Sequence, residues 1–108
     1  LAATSEWANN NNGAVPAVSV STTVGSNAAT ILALTKNKQI TTFEVEAFSA
    51  TAVVAADITV SRAVLRTGSK CNAGGTDTDS AAGASRQIAL VYAIEDSAGN
   101  VTRQCTAS

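Results

Sequence analysis

Glu44 and Glu46 stand two residues apart in Phe43-Glu-Val-Glu-Ala-Phe48. On an extended strand both carboxylates project from one face, roughly 6–7 Å apart. That spacing suits the carboxylate pair of a glycosidase, and it equally suits two solvated side chains on the wet face of a strand; the second is the expectation. Histidine is absent from all 108 residues, so neither a Ser-His-Asp nor a Cys-His relay can form and no imidazole can bind a metal. No Gly-rich phosphate loop, GxSxG elbow or SxxK motif occurs. The sequence therefore points to a protein that is not an enzyme.

Asp77-Thr-Asp79-Ser80 places several oxygen ligands in a glycine-bearing stretch, as a calcium loop would. The EF-hand register with its closing Glu is missing, so a solvated polar loop is expected, with no metal and no cofactor. Two cysteines exclude a four-thiolate zinc site, and Cys71 and Cys105 lack CxxC spacing. An even pair in a thinly anchored domain fits one disulfide made in an oxidising compartment, two buried free thiols being the alternative. Closing a loop of 34 residues contributes roughly 3–4 kcal/mol in the loop-entropy account. Asn100-Val-Thr102 matches the N-glycosylation sequon, a pattern that turn and strand propensity also produce. Ser108, with the Thr-rich surface, is the other candidate for glycosylation.

Alanine, threonine and serine number 22, 14 and 11, whereas only four aromatics, Trp7, Phe43, Phe48 and Tyr92, can anchor a core. Charged residues make up 14%, below the roughly 25% of an ordinary soluble domain. A net charge of −1, with the seven basic residues scattered from Lys36 to Arg103, gives no footprint for nucleic acid or an anionic membrane. The length suits a single domain, and the longest apolar stretches fall far short of the ~20 residues that span a bilayer. No signal peptide is visible, and a sequence opening at Leu1 without methionine is expected to be a processed or truncated product.

The elements that must position these residues follow from pattern. Residues 1–12 read as the end of a helix, stopped by Asn9–Asn12, Gly13 and Pro16. Residues 13–38 read as irregular, with short strands expected at Val15–Ser21 and Thr30–Thr35. From 39 onward four strands are expected, Gln39–Phe48, Asp57–Leu65, Gln87–Glu95 and Val101–Thr106. In the first, Phe43, Val45 and Ala47 face in; in the second, Ile58 and Val60 do. Gln87–Glu95 is apolar on both faces and is expected to be covered on both sides. Asp96-Ser-Ala-Gly-Asn100 is a turn signal before the last strand. The connection Thr67–Ser85 is Gly-, Asp-, Ser- and Ala-rich and would be floppy without a tether from Cys71 to Cys105.

In this order the pieces resemble the globular head of a bacterial type IV pilin. The break Asn9-Asn-Asn-Asn12-Gly13…Pro16 is similar to the end of that family's long helix. Ile88-Ala-Leu90…Ala98-Gly99-Asn-Val-Thr-Arg-Gln-Cys105 is similar to its last hairpin, with Arg103 standing where the family often has tryptophan. The resemblance implies an α+β fold: a short N-terminal helix packed on a four-stranded antiparallel β-meander, closed by one disulfide. It further implies a structural subunit of an extracellular filament that serves adhesion, motility or DNA uptake. Such a subunit is exported across the cytoplasmic membrane. It self-associates through an apolar N-terminal helix that this sequence lacks, which would also be its only link to a membrane, and it meets a host-cell or other surface receptor.

A second resemblance runs through Phe43-Glu-Val-Glu-Ala-Phe48, Ala56-Asp-Ile-Thr-Val60 and Tyr92-Ala-Ile-Glu-Asp96-Ser-Ala-Gly-Asn100-Val. These are similar to bacterial Ig-like repeats, which would imply an all-β sandwich acting as a spacer or binder in a large surface adhesin. A carbohydrate-binding module, the third class, would want a flat row of exposed aromatics, and Trp7 lies far in sequence from Tyr92. The cysteine reading is checked by intact mass after alkylation without reductant. No alkyl group should be gained, and two alkylated thiols would contradict the bridge.

Overall fold

The computed structural model describes residues 1–35, 39–54 and 58–108. Their order is α1 (Ala2–Asn10), β1 (Ser19–Val20), α2 (Asn27–Leu34), β2 (Thr42–Glu46), β3 (Arg62–Thr67), β4 (Ser69–Cys71), β5 (Thr78–Ala82), β6 (Ile88–Glu95) and β7 (Val101–Ala107). The fold is α+β, with a five-stranded sheet in the order β1-β2-β3-β6-β7 and a separate ribbon of β4 and β5.

α1 buries Thr4 and Trp7, one turn apart on the same side. It stops where the asparagine run predicts. The Asn11 side-chain amide donates to the Trp7 carbonyl at 2.7 Å, and the Gly13 N–H donates to the Ala8 carbonyl at 2.8 Å. Asn12 and Gly13 both take left-handed backbone, φ 59° and 74°, the conformation that closes many helices and that asparagine and glycine tolerate best.

The strand expected at Thr30–Thr35 is instead part of a helix. The Ser26 hydroxyl accepts the Ala29 N–H at 3.1 Å, a hydroxyl cap that starts α2, and Ala28 and Ile31 then fall on one buried face. A short apolar run fits strand and helix alike, and here the cap decides. The strand expected at Val15–Ser21 shrinks to Ser19–Val20, paired with Glu44–Val45.

The four-stranded antiparallel meander is also corrected. β2 and β3 run parallel, from Thr42 opposite Arg62 to Glu46 opposite Arg66, while β3–β6 and β6–β7 are antiparallel. Residues 47–61 form the long crossover that a parallel pair requires, where a hairpin would need only a few residues. The strand expected at Asp57–Leu65 begins at Arg62; Ile58 is buried ahead of it, and Asp57 lies outside the described residues. Ala63-Val64-Leu65 is apolar toward both faces, which suits the centre of a sheet. The connection Thr67–Ser85, expected to be a loop tethered by the disulfide, holds the β4–β5 ribbon. Nor is the alternative sandwich formed, since the helices occupy the face where its second sheet would lie.

The sheet divides the core. On the helical side Trp7, Ile31, Phe43, Val45, Leu65 and Ile88 pack together. On the other side Val53 and Ile58 of the crossover cover Val64, Val91 and Ala93, with Cys105 against them. The β6–β7 hairpin is closed by Asp96, whose carboxylate accepts the N–H groups of Ala98 and Asn100 at 2.9 Å each. Hydrogen bonds from Asn100 first, then Ala98, hold that carboxyl below its ordinary value.

Candidate functional site

The carboxylates that suggested a glycosidase are both in ion pairs. Because β2 and β3 are parallel and in register, each Glu of β2 meets an Arg of β3: Glu44 with Arg62 at 2.7 Å, Glu46 with Arg66 at 3.1 Å. Neither carboxylate is set against the other as acid and base. Arg66 goes further. Only 4% exposed, it also donates to the carbonyls of Ser49 and Thr51 and to the Thr78 hydroxyl, so one cation binds the crossover and the ribbon to the sheet.

Asp77 is likewise engaged. One oxygen pairs with Arg103 at 2.8 Å, while the other accepts the N–H groups of Val53 at 3.2 Å and Thr78 at 2.7 Å. Arg103 also donates to the Val53 carbonyl at 2.9 Å. Asp79 accepts the Ala81 N–H at 3.0 Å within the ribbon, and Ser80 stands beside it in β5. Among the described residues no cluster of three or more His, Cys, Asp or Glu could hold a metal ion.

Cys71 and Cys105 are bonded, their Cα atoms 5.7 Å apart. The Cys105 N–H donates to the Gly75 carbonyl at 2.7 Å, so the ribbon's turn occupies part of the outer edge of β7. The disulfide, the Asp77–Arg103 pair and this hydrogen bond together form a latch. It brings β7, the crossover and the ribbon into one polar seam on the face without helices. Sequence reasoning found the disulfide but missed Arg62, Arg66 and Arg103. The one signal was the matching spacing of Glu44/Glu46 and Arg62/Arg66, which becomes readable only once the two strands are paired.

The two glycosylation candidates sit differently. Asn100 is exposed at the hairpin turn. Ser108 is tied to the start of β6, its N–H donating to the Ile88 carbonyl at 3.0 Å and its hydroxyl accepting the Ile88 N–H at 3.2 Å.

A cleft of about 480 Å³ opens on the helical side, bordered by Leu1, Ile31, Ile40, Phe43, Leu90 and Tyr92. β6 was expected to be covered on both faces, yet Ile94 is 51% exposed. The two short helices roof Phe43, Val45 and Leu65 but leave the outer end of β6 open. The cleft has the size of a ligand pocket and a mixed lining, in which Thr4, Thr35, Gln39, Tyr92, Glu95 and Thr106 are the polar members. No helix among the described residues is long and apolar enough to cross a membrane.

No protein-family model, curated protein or solved structure matches this sequence and fold.

The latch predicts a local effect. Asp77→Asn is expected to cost about 1–3 kcal/mol by leaving Arg103 without its counter-charge. Amide exchange should rise at Thr78 and Cys105 before Val64 and Val91, and Cys105→Ser should show the same order more strongly. Hydrogen-exchange mass spectrometry checks this, and equal loss of protection throughout the protein would contradict it.

Proposed function

We propose that this protein is the head of a non-enzymatic structural subunit of an extracellular filament, of the type IV pilin kind, serving adhesion, motility or DNA uptake. The observation that carries the reading is the N-terminal helix laid on one face of a sheet whose last strand is disulfide-bonded to the excursion before it. A helix on a sheet and a disulfide to the last strand are parts that the sequence resemblance implies; the parallel β2–β3 pair is not. The sequence is rich in Ser, Thr and Ala, with few charges. Both Glu44 and Glu46 serve as ion-pair partners, which gives a structural account of the residues that most resembled catalytic ones.

In this reading assembly runs through an apolar helix upstream of Leu1, and the head presents the latch and the hairpin turn to the outside. Receptors or surfaces would be met there. The helices on one face favour this reading over the Ig-like module.

Immunogold electron microscopy of cells that make the protein tests the proposal. Gold should decorate surface filaments that vanish when the gene is deleted. Gold confined to the cytoplasm, or filaments unchanged by the deletion, would contradict it.

A further inference from the structure

We propose that Asn12 is a site of spontaneous covalent modification, gated by the end of α1. Among the asparagines of the sequence only Asn12 precedes a glycine; Asn27 and Asn72 precede alanine, Asn37 lysine and Asn100 valine, and Asn9 to Asn11 precede further asparagines. Glycine has no Cβ to obstruct ring closure, so its amide nitrogen can reach the preceding side chain. The Gly13 nitrogen gives up its proton to a base in water and attacks Asn12 Cγ. A bond forms between that nitrogen and Cγ, the Cγ–Nδ2 bond of Asn12 breaks, and ammonia leaves. Water then opens the cyclic imide at either carbonyl, giving aspartate or isoaspartate, with no oxidant or reductant involved.

The fold controls this reaction through its nucleophile. In the closed helix end the Gly13 N–H is held by the Ala8 carbonyl at 2.8 Å, and both Asn12 and Gly13 sit in left-handed backbone. The two residues are nonetheless exposed, at a helix terminus, where local opening costs least. Conversion therefore proceeds through the open end and reports how often α1 frays.

The product acts on the same element. A carboxylate at the C-terminus of a helix opposes the helix dipole. Isoaspartate also adds a backbone carbon between Ala8 and Gly13, so the closing hydrogen bond loses its geometry. Arg86 stands next to this point, with its Nη1 at 3.9 Å from where a Cβ on Gly13 would lie. No ion pair among the described residues engages it, so its guanidinium is available to the new charge. Modification thus exchanges a neutral cap for a charge link between α1 and the loop before β6.

The test is peptide mapping with isoaspartate-resolving fragmentation, after incubation at mildly alkaline pH in native buffer and in urea. Asn12 should be the first asparagine to convert, roughly tenfold or more slowly in native buffer than in urea. Gly13→Ala should slow conversion at Asn12 in urea, because the added Cβ obstructs ring closure. Equal rates in the two conditions would overturn the gating. First conversion at another asparagine, or none at Asn12 in urea, would overturn the site.

Discussion

Arg66 is a buried cation on the one face of the sheet that no helix covers, and the arrangement of that face depends on how its charge is met. A guanidinium has five N–H donors and cannot shed its charge, so burying it forces acceptors to gather round. Here they come from three places: Glu46 on the parallel neighbour, the carbonyls of Ser49 and Thr51 in the crossover, and Thr78 in the ribbon. The crossover so anchored brings Val53 and Ile58 down onto Val64, Val91 and Ala93. A protein with four aromatics cannot cover both faces of a sheet with large apolar side chains alone. It covers one with helices and the other with loops pinned by charge, hydrogen bonds and a disulfide.

How much of this was legible in the sequence depended on whether the signal was local. The end of α1, the β6–β7 hairpin and its Asp96 turn are written in adjacent residues, and each was read correctly. The parallel pairing was not, because its evidence is shared between Glu44/Glu46 and Arg62/Arg66, which come together only once the register is known. α2 was missed for a different reason: the short apolar run at Thr30–Thr35 reads as a strand, and Ser26 acts as a cap only when its hydroxyl meets the Ala29 N–H. The ribbon was hidden in small polar residues with no hydrophobic period. Even so, the Asn72 side chain accepts the Thr76 N–H at 3.0 Å, a turn of the kind that Asn and Gly sequences favour.

The candidate site was legible only in part. The residues that looked catalytic were placed on a strand face correctly, but their partners turn them into structural charges. The cleft beside Tyr92 had no sequence signal, since an alternating strand reads the same whether helices roof all of it or only half. What joins sequence and structure most firmly is the disulfide. It closes a long excursion whose residues are too small and polar to hold themselves down, and it does so beside an ion pair performing the same task.

The most direct measurement is denaturant unfolding of Arg66→Met with the disulfide intact. Methionine keeps much of the buried stem but leaves Glu46, Thr78 and two carbonyls without their donor. A loss of about 1–3 kcal/mol is predicted, as for buried acceptors left without their donor. A midpoint unchanged or raised would contradict the claim that this cation organises the face.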